Sequence, residues 1–382
     1  MLIYELGPAD DGSFLGGIES HILGLARQLS REHDVTLLTG MIPGSKPTVQ
    51  MNGFRVVRSD LLRLVSKSWD PTTLTTARQL LCAVPSLFKG LDIRADIYHG
   101  HLYASGLVGL SLSRLAGASA VNTIHGSYYD HWLEITHSRV RARAYRYAER
   151  ALSTFLAHHC DVQIHTATDF ARKVARWGGE PSKMRIILNG VDTERFSPRS
   201  FQGESPPVVM TVRRLVPKNG VEFLVRAARY VKSNVKFWIV GGGPQKAYLE
   251  RIADELPSDS AVRFLGPIPN SELPDLMSKA AVVVIPSIVE ASSISLLEAM
   301  AMEKPTIVTD IPGIDEVASP ERSVMVPPRS PEAIAEAIDY LLSRPARACR
   351  MGRRARRYVV EHRSHKAMSL QTLRAYRDAL SA

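Results

Sequence analysis

Two carboxylates with seven residues between them, Glu290 and Glu298, stand in the stretch of this chain richest in chemistry. Residues 281–285 form a β-branched run, a loop follows, and Ile294 to Met302 is apolar almost all round, which marks a buried helix. Ser292 and Ser293 can cap that helix, and its free N–H groups make an anion site. Glu298 shares a stripe with Ile294 and Ala301, so its carboxylate leaves bulk water and needs a partner. A vicinal ribose diol is one such partner; a local backbone group or arginine is the other.

A second cluster, Arg213, Arg214 and Lys218, follows a predicted strand and opens a helix. Cations at a strand end beside a helix N-terminus suit a diphosphate, through charge-assisted hydrogen bonds and a favourable dipole. Solvated loop charge is the plainer alternative. Gly241, Gly242 and Gly243 end another strand, and glycine lets backbone approach a nucleotide closely. The turn half-matches the dinucleotide fingerprint, but Lys246 takes the third glycine's place. Gly16 and Gly17 precede an amphipathic helix carrying Ile22, Leu25, Ala26 and Leu29, another candidate anion or acceptor loop. His125 closes a predicted strand at its carboxyl end, the side on which open α/β sheets bind ligands. Tyr128, Tyr129, His131 and Trp132 come next, and either stack on a sugar or close a loop over the core.

These residues need a frame to hold them. Strands are expected at 2–6, 35–39, 97–99, 121–125, 162–166 and 186–188, then at 208–212, 235–240, 262–265, 282–285 and 306–309. Helical patterns lie between most of them, so the sheets are parallel and covered on both faces. That many strands exceed one comfortable doubly wound sheet. The Asn189-Gly190 turn and the Pro/Ser/Gly-rich stretch to Pro207 mark the seam. The expectation is an α/β chain of two Rossmann-like domains, residues 1–195 and 196–345, facing across a cleft. A helical segment, 346–382, crosses back to the first.

Bulk properties narrow the class. The 382 residues suffice for two cores. Of the net charge of +10, residues 1–190 carry 21 basic against 16 acidic groups, so the excess is spread and names no partner. Three scattered cysteines (Cys82, Cys160, Cys349) argue against a disulfide framework or zinc site and fit a reduced cytoplasm. The N-terminus lacks a signal-peptide pattern, and no apolar run reaches membrane-spanning length. Arg139, Arg143, Arg146 and Arg150 fall within a ~60° stripe of a predicted helix, with Ala, Tyr and Val opposite as the expected packing side. The stripe is either a solvated face or a contact for anionic lipid head groups. The location expected is cytoplasmic, soluble or peripheral at the inner face of the plasma membrane. Nucleic acid fits poorly, since no binding motif accompanies the stripe.

Taken in order, the motifs resemble the retaining GT-B glycosyltransferases (glycosyltransferase family 4, glycosyl transferases group 1) over almost the whole chain. They run from Gly16-Gly17-Ile-Glu-x-His21 through Asp96-Ile-Tyr-His99-Gly-His101, Thr123-Ile-His125-Gly126 and Asn189-Gly-Val-Asp192. They continue with Arg214-Leu-Val-Pro, Val240-Gly-Gly-Gly-Pro244, Phe264-Leu-Gly266 and the Glu290/Glu298 pair. The resemblance implies that residues 1–195 serve the acceptor and 196–345 bind a nucleotide-diphosphate sugar, a co-substrate with no further cofactor. It implies Arg214 and Lys218 on the diphosphate, Glu290 on the donor sugar and Glu298 on the ribose. His125 would lie at the reacting sugar, Gly17 in the phosphate or acceptor loop, Ile268 near the base, and Gly242, Ser292 and Ser293 around the donor. The acceptor would be a glycan, polysaccharide precursor or lipid-linked sugar. Two departures stand out. The family's usual lysine before Gly220 is Asn219 here, with Lys218 preceding it, and its Glu-Gly-Phe-Gly is Glu290-Ala-Ser-Ser293. Asp-x-Asp is absent from the sequence, so the cations are expected to replace a metal. The rival readings are an NAD-dependent oxidoreductase and a non-catalytic scaffold of the same fold.

Overall fold

The computed structural model describes residues 1–4, 7–10, 16–40, 44–59, 75–136, 138–199, 205–257 and 261–382. Residues 5 and 6 of the expected first strand, and 200–204 of the expected linker, lie outside the described residues. The chain divides into two compact units, Met1–Leu188 with Met368–Ala382, and Asn189–Ala367.

In the first unit the order is β1 (Leu2–Ile3), α1 (Gly17–Leu29), β2 (Thr36–Gly40), β3 (Thr48–Met51), β4 (Phe54–Ser59) and α2 (Thr75–Leu91). Then follow β5 (Ile97–His101), α3 (Leu102–Ala116), β6 (Ser119–Ile124), α4 (Trp132–Thr136), α5 (Arg139–His159), β7 (Val162–His165), α6 (Thr168–Arg176) and β8 (Met184–Ile186). Its described strands are ordered β3-β4-β2-β1-β5-β6-β7-β8. Alternate residues serve opposite faces. Leu2 and Leu37 join α1 on one side, and Ile3 and Leu38 join Val108 and Leu112 of α3 on the other.

The second unit holds β9 (Val208–Val212), α7 (Val221–Ala227), β10 (Lys236–Val240), α8 (Lys246–Asp254), β11 (Ala261–Gly266), α9 (Leu273–Ser278) and β12 (Ala280–Ile285). It continues with α10 (Ile294–Ala301), β13 (Thr306–Thr309), β14 (Val324–Val326), α11 (Pro331–Leu342) and α12 (Pro345–His362); α13 (His365–Leu380) follows. The sheet order β11-β10-β9-β12-β13-β14 reverses between β9 and β12, the switch point where open α/β sheets bind their ligands. Val209, Ile239 and Val282 face the core under α7, α8 and α11, while Met210, Val240 and Val283 face that under α10 and α12.

The unit boundaries fall at 188/189 and 367/368, where the sequence reading placed 195/196 and 345/346. Val191 donates to the Arg363 carbonyl and accepts from the His365 amide, which ties the Asn-Gly segment into the second unit. Ala355 and Val359 of α12 lie in that unit's core, and only from Met368 onward does the terminal stretch join the first unit's core, through Met368, Ala375, Tyr376 and Ala379.

Three strands escaped the sequence reading. β3 and β4 form an antiparallel hairpin around Asn52-Gly53, the one departure from parallel pairing among the described strands, and β14 has only three residues. The orientation of α5 is also corrected. Its packing side is Ala142, Glu149, Ser153, Leu156 and Ala157, whereas Val140, the valine of the expected packing side, is 80% exposed, and Tyr147 is 76% exposed. Glu149 can sit inside because Trp132 Nε1 (2.6 Å), the Tyr128 amide (3.2 Å) and the Tyr103 hydroxyl (3.3 Å) donate to it. Arg146 turns back onto the carbonyls of Tyr129 and Asp130.

Candidate active site

β9 ends at Val212, and Arg213 and Arg214 follow it with different exposures. Arg214 is exposed. The Arg213 side chain is only 8% exposed and reaches across the switch point to the loop after β12. It donates to Ser287 Oγ at 2.7 Å, to Ser293 Oγ at 3.1 Å, to Asn219 Oδ1 at 2.9 Å and to the Glu290 carboxylate. Glu290 is therefore paired. Burial pushes its carboxyl up, but the charges of Arg213 and Lys218 outweigh that and hold it below the ordinary range. Lys218 is half-buried, and its carbonyl accepts from the amides of Ile288 and Val289, which fastens the cation loop to the Glu290 loop.

Ser293 is the N-cap of α10 and accepts from the Leu296 amide at 3.3 Å. Ser292, beside it, is half-buried. Glu298 is 3% exposed within α10. Burial drives its carboxyl up to about 8, opposed by the charge of Arg195 and a hydrogen bond with Asn270. Asn270 lies two residues beyond half-buried Ile268, which brings the loop after β11 to Glu298. These partners only partly compensate the carboxyl. A vicinal diol could add two hydrogen-bond donors to it.

The glycine turn has a structural task that the sequence did not reveal. A Cβ on Gly241 would come 2.0 Å from the Arg213 carbonyl oxygen, and one on Gly243 2.4 Å from that of Leu215, each at positive φ. Both glycines let the turn lie directly against the cation loop. Gly242 would meet only Pro267, at 3.2 Å, and its carbonyl accepts from the Leu215 amide. Gly220, at φ 62, allows the same closeness to the Pro286 carbonyl.

The first unit gathers histidines at its own switch point, between β1 and β5. Gly17 opens α1, which carries buried His21; His99 and His101 lie on β5, and His125 follows β6. His99 lies 2.7 Å from both the Tyr376 hydroxyl and Thr123 Oγ1, and His101 Nδ1 lies 3.0 Å from His125 Nε2. Burial first, then the neighbouring imidazoles, hold His99, His101 and His125 well below their ordinary pKa and thus neutral. The nitrogens of His21, His101 and His125 lie within 4.8 Å of one another, so imidazoles of the kind that bind transition metals are assembled here. Their rings are already stacked or edge-on to each other. Trp132 stacks on Tyr145 while bonding Glu149, and Tyr129 lies on Trp177, so these aromatics close a local loop.

The sequence model of Glycosyltransferase Family 4 matches residues 15–195, and that of Glycosyl transferases group 1 matches residues 192–358. The chain is a GT-B glycosyltransferase. Like the family, this glycosyltransferase moves a sugar from a nucleotide-sugar donor. It is 28% identical to an uncharacterized glycosyltransferase of Methanocaldococcus jannaschii, covering 100% of this chain and 98% of that protein. It is 26% identical to the GDP-mannose-dependent alpha-(1-6)-phosphatidylinositol monomannoside mannosyltransferase of Mycolicibacterium smegmatis, over 96% and 97%. A sucrose-phosphate synthase from Thermosynechococcus elongatus shares the fold with a TM-score of 0.82 at 23% identity, over 100% and 98% of the two chains. The oxidoreductase reading finds no support in these matches.

Proposed function

We propose that the donor diphosphate binds at the second sheet's switch point, held by Arg214 and Lys218, with Glu290 on the donor sugar and Glu298 on the ribose. The observation that carries this is the joining of the loops after β9 and β12 around Glu290, beside a capped helix N-terminus. Ser292, Ser293, Gly242 and Ile268 line the donor in this reading. Breaking the bond from the sugar's anomeric carbon to phosphate leaves positive charge on the ring and negative charge on the departing diphosphate. Fixed cations and helix N–H groups favour that state. They take the place of a metal, and transfer proceeds with retention, as the family resemblance implies. His125, held neutral, is the first unit's hydrogen-bonding contribution to the substrate, with Gly17 in its acceptor loop.

The acceptor we propose is a sugar hydroxyl on a lipid-linked substrate, reached at an anionic membrane surface from the cytoplasmic side. No helix among the described residues is long and apolar enough to cross a membrane. Exposed Val140, Ala144, Tyr147 and Phe155 of α5 share about 80° of arc. Exposed Arg141 flanks that ridge on one side, and Arg143 and Arg150 on the other. An apolar ridge with an interfacial tyrosine between arginines matches a bilayer of anionic lipid, each arginine adding about 1 kcal/mol near the surface. The phospholipid acceptor in the name of the Mycolicibacterium relative supports the same choice. Sedimentation with anionic vesicles at low salt is expected, and loss of it with neutral vesicles or in high salt. Binding that ignores lipid charge, or survives glutamate at 141, 143 and 150, would leave a soluble acceptor.

A further inference from the structure

The lysine expected before Gly220 is Asn219 in this chain, and a guanidinium lies against that asparagine instead. Asn219 is buried; its Oδ1 accepts from Arg213 at 2.9 Å, and its Nδ2 donates to the Arg214 carbonyl at 2.7 Å. Arg213 enters from the opposite end of the same loop. Its remaining bonds reach Ser287, the helix-capping Ser293 and Glu290, and the donor reading places the last two around the donor. Arg213 Nε is buried and has no hydrogen-bond partner, so this nearly covered side chain keeps one donor unsatisfied. Glu290 answers the charge of Arg213, yet Lys218 also acts on that carboxylate, and Arg214 stands next in the chain. The loop therefore carries more positive charge than its carboxylate balances.

Resting on the donor reading above, we infer that Arg213 is a donor-binding residue: its guanidinium supplies from position 213 the cation that position 219 no longer carries. A shift of the lysine to Lys218 is then not the replacement. The side chain at 219 has become an acceptor that orients the new cation, and the two positions work as a pair. Lysine at 219 and arginine at 213 are alternatives for one charge beside Glu290.

The test is calorimetric titration of UDP, GDP and ADP into the full chain, with melting temperatures recorded in parallel. Arg213→Ser is expected to weaken the diphosphate that wild type binds by roughly tenfold to a hundredfold. Adding Asn219→Lys to Arg213→Ser is expected to recover most of that loss, which a merely structural arginine would not permit. Should the single variant not fold, the double variant decides alone: near-wild-type affinity supports the pairing. Affinity at least about tenfold weaker overturns it. A folded Arg213→Ser that binds like wild type also overturns it. Wild type that binds none of the three diphosphates overturns the donor reading itself and this inference with it, an outcome visible before any variant is made.

Discussion

Arg214→Ala is expected to fold normally and to lose about 10²–10³ in kcat, the usual cost of one transition-state hydrogen-bond donor. Arg214 is exposed beside the buried Arg213 network, so its removal leaves the core untouched, and surface changes of that kind seldom exceed about 0.5 kcal/mol in stability. Its charge matters most when the diphosphate departs. The loss therefore falls on kcat, with the donor KM rising less. Lys218→Ala is expected to match that loss or fall short of it, because the Lys218 charge is shared with Glu290. Steady-state kinetics with purified variants checks both. Wild-type turnover in Arg214→Ala would remove the arginine from the leaving group.

Glu298→Gln is expected to stabilise the free protein in alkali while weakening its donor. The Glu298 carboxyl sits at about 8 when folded, against an ordinary 4.5. A group whose folded pKa is raised favours folding while protonated; that contribution is full below 4.5 and is lost as pH climbs to about 8. Glutamine removes the dependence. Its advantage in melting temperature should grow between those limits and level off above them, with a ceiling of about 1.4 kcal/mol for each pH unit that separates them. Ribose hydroxyls donating to Glu298 favour its ionised form, so nucleotide binding near pH 7 should release close to one proton. Glutamine should abolish that release and weaken binding by about 1.5–3 kcal/mol. Calorimetry in buffers of differing ionisation enthalpy reads both quantities. Equal affinity and equal proton release in the two proteins would leave Glu298 a structural carboxyl held by Asn270 and Arg195.

Where local signals agreed, the sequence was a good guide. The run ending at Ile285 and the serine cap before Ile294 gave strand, loop and helix at nearly the observed positions, because burial and capping point the same way there. The β3–β4 hairpin was missed although Asn52-Gly53 is a hairpin turn signal, since β3 is mostly exposed and lacks an apolar run. On α5 residue type misled. Glu149 and Ser153 lie inside because partners from Trp132, Tyr128 and Tyr103 arrive from far along the chain, and Val140 and Tyr147 lie outside. Arg213 and Arg214 look equivalent in sequence. Only the fold separates them into a buried and an exposed cation, and three of the four side-chain partners of Arg213 come from 74 to 80 residues away.

What decides the donor assignment is release of nucleoside diphosphate from UDP-, GDP- and ADP-linked hexoses by the full chain, followed with and without excess EDTA. One of these nucleotide sugars is expected to turn over in wild type, at a rate unchanged by chelation, and to turn over far more slowly in Arg214→Ala. No release from any nucleotide sugar, with or without an offered acceptor, would make the chain a non-catalytic scaffold. Release that stops in EDTA would show that Arg214 and Lys218 do not replace a metal.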